Sequence, residues 1–484
     1  VTGEDALRVA AYDFYESVYW TDPGTFKLTM RGQEGDPIYL PSGREIVETA
    51  HRFLAPSLTI ACDPLFGTDL QRAQAQQFFT EFARRERFFG KFSANKRRGL
   101  VKGDSVWHII ADPEREAGSR VSIFTVDPAA YFPEENDDGE VIATHLIEII
   151  GDAQGKPIIS KISYVKTSGA GGPSPIAVIE TTHPLDEWGQ PNTDMPETIL
   201  STEFEDLLDL RITALPVYHL ANFYDPEELG GWGSSEMRGL EVVLSAMNQS
   251  ITDEELTLVL EGLGVYVTDA GAPIDEATGE EKPWVVAPAR IMELPPGTNF
   301  SRVTGVMTVG PYQDHLRYLG SALDDATGMN DITRGTTDVA VAESGIALTI
   351  KMAPILARMA EKEITVSDVM TQMLFDMRSW FEAYEGIGLE DIRWVPQYGD
   401  RMPPNKAQIF QQIMQMLGTT PPTISTKEAR RILSTIGWTF TEDGALEQEI
   451  VQEQTAVAQI QADVTGFRLQ SELSSASSTA PIEG

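Results

Sequence analysis

Residues 234–260, SSEMRGLEVVLSAMNQSITDEELTLVL, decide how this chain is organised. Ser234 and Ser235 offer N-cap hydroxyls, and Met237, Leu240, Leu244, Met247 and Ile251 then recur at three- and four-residue steps along one helical face. Gly262 stands where a C-cap glycine would. The spacing predicts an amphipathic helix of roughly 40 Å. Gly310-Pro311 opens a second helix, in which Tyr312, Leu316, Leu319 and Leu323 keep the same period up to Gly328. Two helices that leave a body and return, with an insert at their tip, make a stalk. A catalytic domain has little use for one, whereas a subunit of a ring or channel does.

The insert, residues 265–309, holds the strand-like runs Val265–Thr268, Trp284–Ala287 and Ile291–Leu294. After the return helix, Met329 to Val341 is rich in Thr, Asp and Gly and carries a single arginine, Arg334. From Ser344 to Tyr384 the apolar residues Ile355, Leu356, Met359, Val366, Val369, Met370, Met373, Met377, Trp380, Phe381 and Tyr384 predict one more helix. It would be roughly 60 Å long, with a kink expected at Pro354, which has no N–H to donate. A strand at Ile392–Pro396 and helices at Asn405–Leu417 and from the capping box Ser425-Thr-Lys-Glu428 complete the ordered chain. The Ser/Ala-rich tail Ser474–Gly484 is expected to be disordered.

Upstream of the stalk the first hundred residues read as helices. Glu4–Trp20 turns Leu7, Ala11, Phe14, Tyr15 and Val18 inward. The capping box Ser42-Gly-Arg-Glu45 opens a helix to Leu54 that buries Ile46, Val47, Ala50 and Phe53, and a third helix runs from Asp69 to Phe92. From Gly99 to about Thr182 the period becomes two. Candidate strands are Ser105–Ala111, Arg120–Val126, Val141–Ile150, Ile158–Val165 and Ile176–Thr181, an antiparallel meander in prospect, with Val217–Phe223 as a further strand. Thr202–Leu210 is crowded with acids and reads as a short helix or irregular chain.

Composition narrows the function. A chain of 484 residues with 42% hydrophobic residues can bury real cores in two to four folding units. Its net charge of −36 argues against gripping nucleic acid through phosphates, yet suits a surface past which nucleic acid must slide. The single cysteine, Cys62, excludes an internal disulfide and reads as an inert thiol. No apolar run approaches the roughly 20 residues of a membrane span. Val1 stands where an initiator Met would, which processing and trimming explain equally well. HExxH, a Walker lysine loop, GxSxG and CxxC are all missing, and the six histidines are scattered, so no catalytic group, metal site or cofactor is assigned. His108 and His219 sit in strand patterns as structural residues. Glu134, Asn136 and Asp138 imitate a calcium loop, but His145 stands where the closing glutamate should, so a hairpin turn is expected.

Three segments carry a family resemblance. Gly103-Asp-Ser-Val-Trp-His-Ile109 is continued by Gly118-Ser-Arg-Val-Ser-Ile123 and Val126-Asp-Pro-Ala-Ala-Tyr-Phe-Pro133; next come Leu215-Pro-Val-Tyr-His-Leu-Ala-Asn222 and Trp232-Gly-Ser-Ser-Glu-Met-Arg-Gly-Leu240; then Ser344-Gly-Ile-Ala-Leu348 with Pro354. In this order, across some 350 residues, the chain resembles the portal proteins of tailed bacteriophages. The resemblance implies an α+β, multi-domain fold: a wing over 1–232, a first stem helix over 233–263, a small α/β clip over 264–309 and a second stem helix over 310–328. A tunnel loop over 329–343, a long kinked helix with a wing strand over 344–400, a helical crown over 401–466 and a flexible tail over 467–484 would follow.

It also implies a non-enzymatic role in the virion: a homo-oligomeric ring, typically a dodecamer, at one capsid vertex, made in the host bacterial cytoplasm. Double-stranded DNA would pass its channel without sequence specificity, packaged by the terminase large subunit and later ejected. The major capsid protein and a head–tail connector or adaptor would be the other partners. Asp331, Thr333, Arg334, Thr336, Thr337 and Asp338 would line the channel, with Arg334 the cation nearest phosphate. Asp269, Asp275, Glu276, Glu280, Glu281 and Trp284 would form the clip docking surface, with Trp284 as its structural anchor. Another head–tail connector or tail protein is the alternative, followed by an acidic hydrolase with an unrecognised site.

Overall fold

The computed structural model describes residues 3–32, 35–54, 58–151, 155–167, 176–186, 198–203, 210–224, 231–263, 265–272, 274, 279–281, 296–303, 310–334, 345–399, 406–418 and 423–435. The chain divides into two compact units, Val1–Arg401 and Met402–Gly484.

The first unit begins with α1 (Gly3–Trp20) and α2 (Ser42–Leu54). The inward face of α1 is made by Tyr12, Val18 and Tyr19, while Leu7 is 74% exposed, contrary to its assignment to the apolar side. The burying residues are tyrosines whose hydroxyls reach carboxylates: Tyr19 donates to Glu48 at 2.6 Å and Tyr15 to Glu241 at 2.6 Å. The expected third helix is in fact two. α3 (Asp69–Glu86) carries a full capping box between Thr68 and Gln71, ends at Arg87 in the left-handed conformation (φ 52°), and α4 (Phe88–Lys102) starts again at once. The break turns Phe88 and Phe92 into the same core as Phe79 and Phe82, which a straight helix could not do.

Strand β1 (Leu58–Cys62) was not visible in the periodicity, being short and lying between helices. It pairs antiparallel with the strand after the long helix. β2 (Asp104–Ala111), β3 (Val121–Val126) and the later β9 (Val217–Ala221) form a sheet in the order β3-β2-β9. β4 (Tyr131–Glu135), β5 (Val141–Gly151), β6 (Pro157–Lys166), β7 (Ile176–Pro184) and β8 (Thr198–Glu203) make a five-stranded antiparallel meander. β4 and β8 escaped the sequence reading because Pro133, Glu134 and Glu135 in one and Thr198, Ser201 and Thr202 in the other dilute the alternation. Thr202 and Glu203 belong to β8, and 204–209 lie outside the described residues.

The stalk leaves this body as α5 (Glu241–Leu263), and an antiparallel pair, β10 (Val265–Thr268) with β11 (Phe300–Val303), follows it. α6 (Gly310–Thr327) returns. Thr257 faces Tyr312, Glu254 faces Gln313, and Leu244 shares a core with Leu323, so the two helices run antiparallel. At 23 residues α5 is roughly 35 Å long. It is shorter than expected because residues 234–240 form turns: Ser235 caps a turn at Met237 rather than the helix. β11 was missed, and the runs expected at 284–287 and 291–294 lie outside the described residues.

α8 (Gly345–Glu385), 41 residues, is a single helix through Pro354; a short turn of helix, α7 (Asp331–Arg334), precedes it. β12 (Trp394–Tyr398) follows, two residues later than expected, and pairs with β1. α8 joins two cores. Ile355 and Met359 pack with Ile46, Leu100, Met237 and Leu323, whereas Val366, Met370, Met377 and Phe381 pack with Phe79, Trp107 and Trp394. Each such fully buried side chain contributes about 1.5–3 kcal/mol. In the second unit α9 (Lys406–Gly418) and α10 (Thr426–Thr435) share a small core of Ile413, Ala429 and Leu433, and Ser425 Oγ accepts from Glu428 N as its capping box requires.

Two glycines let the body and stalk entrance touch. The Gly103 carbonyl accepts from Asn222 N at 2.7 Å. A Cβ on Gly233 would fall on that same oxygen and lie 2.7 Å from Asn222 N. Gly233→Ala is therefore expected to destabilise by about 3 kcal/mol. Gly90→Ala, in open space within α4, should be neutral or stabilising by up to about 1 kcal/mol. Denaturant midpoints of the two variants check this, and equal midpoints would refute the close approach.

Candidate functional site: stalk, loop flank and buried charge junction

Three regions bear on function: the stalk tip, the start of the polar loop, and a cluster of buried charges where stalk, sheet and α8 meet. At the tip, Asp269 Oδ1 accepts from Asn299 N at 2.6 Å and its own N–H returns to Asn299 O, closing the end of β10–β11. Ile274 bridges Glu281, and Glu280 and Glu281 are exposed. Asp275, Glu276 and Trp284 lie outside the described residues. Asp269 thus has a turn-closing role that its acidity alone did not reveal.

The loop after α6 begins inside the body. Met329 is buried in the second core, and Gly328 (φ 69°) packs on Pro354, which a Cβ would approach to 3.2 Å. Asn330 Oδ1 accepts from Thr333 N at 3.1 Å, Thr333 Oγ1 accepts from Asn330 N at 3.0 Å, and Asn330 Nδ2 donates to Lys351 O at 2.7 Å. This reciprocal cap makes α7 and ties it to α8. Arg334 pairs with Asp324 of α6 and, at 3.2 Å, with Glu45 of α2, leaving its side chain 20% exposed. Its charge is balanced within the subunit, so a phosphate contact would have to share it with two carboxylates. Asp331 begins α7, Thr333 is buried, and Thr336, Thr337 and Asp338 fall outside the described residues.

The buried junction was invisible in the sequence. Glu236, in the turns before α5, is fully enclosed and pairs with the equally enclosed Lys362 of α8. Arg358 Nε lies 2.9 Å from the other Glu236 oxygen, near enough for a strong ion pair though not aligned as a hydrogen bond. Asn222 completes the group, accepting from Lys362 Nζ at 3.1 Å and donating to Glu236 at 3.3 Å. The ring of Phe223 stands 4.0 Å from Lys362 Nζ and 4.8 Å from the Arg358 guanidinium. Burial pushes the Glu236 carboxyl up, but Lys362 and Arg358 outweigh it and hold the group below the usual carboxylate range. Beside it Asp104, fully buried, accepts from Tyr12, from His219 at 2.6 Å and from Gly233 N at 2.7 Å.

Lys96 is the odd member. Glu236 already faces two cations, Lys362 and Arg358, Asp104 is taken up by Tyr12, His219 and Gly233 N, and among the described residues Lys96 Nζ has no hydrogen-bond partner. Burial, and then the nearby Lys362, lower its pKa to about 7; that of Lys362 falls to about 8 by burial against the pull of Glu236. No sequence signal separates Lys96, Glu236 or Lys362 from surface charges: each sits among polar residues, and only the tertiary crossing encloses it.

The expected structural residues behave as read. His108 is buried, bonds Tyr164 at 2.7 Å, and burial lowers its pKa to about 4. Asn136 Oδ1 accepts from Asp138 N and Glu140 N, making residues 134–140 a hairpin turn, while His145 pairs with Glu134. Burial raises the Cys62 thiol, leaving it unreactive. Among the described residues there is no group of His, Cys, Asp and Glu fit to hold a metal, and no helix is long and apolar enough to cross a membrane.

No family model matches the chain, and no curated protein does. Among solved structures, it is similar to a chain in the neck of an empty GTA particle computed with C6 symmetry. That match has 14% identity, 82% of this chain and 90% of that chain covered, and a TM-score of 0.45. A chain in the virion of a native gene transfer agent (GTA) particle gives 12% identity, 84% and 97% coverage and a TM-score of 0.44. One in the neck of a native GTA particle computed with C12 symmetry gives 14% identity, 85% and 98% coverage and 0.38.

Between about pH 7 and 10.5 the unfolded chain holds a proton on Lys96 that the folded one lacks, so this group makes stability rise with pH across that window. Lys96→Met is expected to raise stability by about 1 kcal/mol or more at pH 6 and to flatten the rise. Glu236→Gln, which strands the buried Lys362 and the half-buried Arg358, should cost about 3–5 kcal/mol. Unfolding midpoints from pH 6 to 10 test both; an unchanged slope in Lys96→Met would overturn the assignment.

Proposed function

We propose that this chain is a subunit of a phage portal, a closed ring whose axial channel passes double-stranded DNA into and out of a capsid. One observation carries the reading. An antiparallel helix pair leaves a mixed α/β body, holds a β-hairpin at its tip, and is followed by a polar loop and a helix of 41 residues rooted in both cores of that body. That succession matches the order of the motifs on which the family resemblance rests.

The uncovered apolar surface of the stalk fits the same reading. Val242, Leu258 and Val259 on α5 and Tyr318 on α6 are exposed in the single chain, and a ring would bury them against neighbours through heterologous contacts. An acidic wall would keep DNA centred and unbound, with only residues within about 8 Å of the phosphates acting on it at physiological salt. In this scheme the residues after Arg334, including Thr336, Thr337 and Asp338, line the narrow part of the channel. Arg334 stands at the loop's root. The tip, with Asp269, Glu280 and Glu281, projects outside the capsid, where the packaging motor and later the head–tail connector dock.

End-on electron micrographs of the purified protein are expected to show rings with a central hole; folded protein that stays monomeric or dimeric by mass measurement would overturn the reading. Deleting 269–282 should leave the body folded and abolish connector binding, whereas unchanged binding would move the docking surface elsewhere. Asp338→Lys, at a residue this scheme places on the channel wall, should alter DNA retention in assembled particles without preventing ring formation.

A further inference from the structure

Within a chain of net charge −36, residues 69–102 hold nine Lys and Arg against three Asp and Glu. Much of this positive charge is committed inside the subunit. β3 is an edge strand, and its outward polar groups are met by side chains: Arg85 donates to Val121 O, Lys91 to Ile123 O and Arg98 to Val126 O, while Glu86 accepts from Ile123 N. Arg84 and Arg87 are different. Both are exposed at the corner where α3 breaks into α4, and among the described residues neither has an ion-pair partner. Beside them stand two half-exposed rings, Phe89 at 43% and Phe124 at 42%, with Lys91 Nζ 5.1 Å from the centre of the latter.

A complementary surface lies on the other side of the same sheet. In the order β3-β2-β9 the basic corner flanks β3, whereas the β4–β5 hairpin lies beside β9: its Glu135 and Glu140 line one cleft with Val217, Tyr218 and His219. The tip of that hairpin presents Asp137 and Asp138, both exposed and, among the described residues, without ion-pair partners, on a turn locked by Asn136. Two unlike surfaces of opposite charge, one flanking β3 and the other on the hairpin of the second sheet, are what a head-to-tail contact between identical chains requires.

We propose that the corner formed by Arg84, Arg87, Phe89 and Phe124 docks on the acidic hairpin, Asp137 and Asp138, of a neighbouring copy of this chain. The inference rests on the ring reading and names one of its contacts. A protein partner suits the corner better than nucleic acid, because arginine and half-exposed phenylalanine together are the composition of an interface centre. A second copy suits it because this chain itself supplies the opposite charge on a rigid turn.

The test is a charge swap. Arg84→Glu with Arg87→Glu should raise the protein concentration needed for ring assembly by roughly tenfold or more at low salt, and Asp137→Lys with Asp138→Lys should do the same. The two double variants mixed together, or all four substitutions in one chain, should restore assembly. The defect should shrink at high salt, as screening requires, and circular dichroism should show all variants folded. Wild-type protein that never assembles would overturn this contact together with the ring. Rings that form normally from either double variant, or fail to return in the fourfold variant, would overturn the contact alone. Lost duplex-DNA binding with assembly untouched in Arg84→Glu/Arg87→Glu would also overturn it, in favour of a polyanion site.

Discussion

Glu236 and Lys362 meet without any solvent contact at the boundary between two hydrophobic cores, and the rest of the first unit depends on that pairing. α8 crosses both cores, with Ile355 and Met359 on one side of Lys362 and Val366 to Phe381 on the other. A helix with so regular an apolar face could slide or rotate by one step and still bury methionines. It could not do so and keep Lys362 on Glu236, Arg358 on the same carboxylate, and Asn222 and Phe223 around them. Buried pairs of this kind add little net stability, since desolvation offsets much of the Coulomb attraction. Their effect here is to fix one register among several that the apolar residues alone would accept.

The same economy of polar groups recurs at the edge of β3. The far end of α8 finishes in Glu385, whose carboxylate accepts from Gly118 N, Arg120 N and Val121 N. A glutamate at a helix C-terminus opposes the helix dipole. It is held there by three backbone donors of the β2–β3 hairpin that would otherwise need water or another strand. With Arg85, Glu86, Lys91 and Arg98 completing the row, the edge of β3 is closed to strand addition. A protein that meets this edge must therefore do so through side chains, which leaves charge and shape to choose the partner.

The helices and most strands were legible because their apolar residues keep strict periods. α6 and the buried face of α8 fell where spacing put them, and β5, β6 and β7 extended by only a residue or a few. What failed did so for identifiable reasons. Arg87 breaks α3 from α4 without glycine or proline, so nothing local announced it. Asn248 and Thr252 look like solvent-facing positions of α5 but are buried under the segment before α2. The junction residues Lys96 and Asp104, Glu236, and Lys362 come from three distant stretches, and burial of a charge is a tertiary fact that no window of sequence contains. Of the polar stretch expected as a loop only 329–334 are described, and there Met329 and Thr333 are buried in the body and Asp331–Arg334 is a turn of helix.

That segment before α2 deserves a mechanical reading. Thr29 exchanges two hydrogen bonds with Gln249, Ile38 N donates to Thr252, Leu40 N donates to Asn248, and Arg31 grips Asp253 at 2.8 Å. Extended chain is thus laced to the flank of α5 over its first half, through amide and hydroxyl side chains standing in for a neighbouring strand. Beyond Asp253 the lacing stops. The outer ten residues, roughly 15 Å of helix, are held by α6 alone, through Glu254 with Gln313 and Thr257 with Tyr312, so a load applied at the β10–β11 pair would bend the two helices together about the Asp253 level. A load entering at the tip would then divide between that lacing and α6, whose Leu323 shares a core with Ile355 and Met359 of α8.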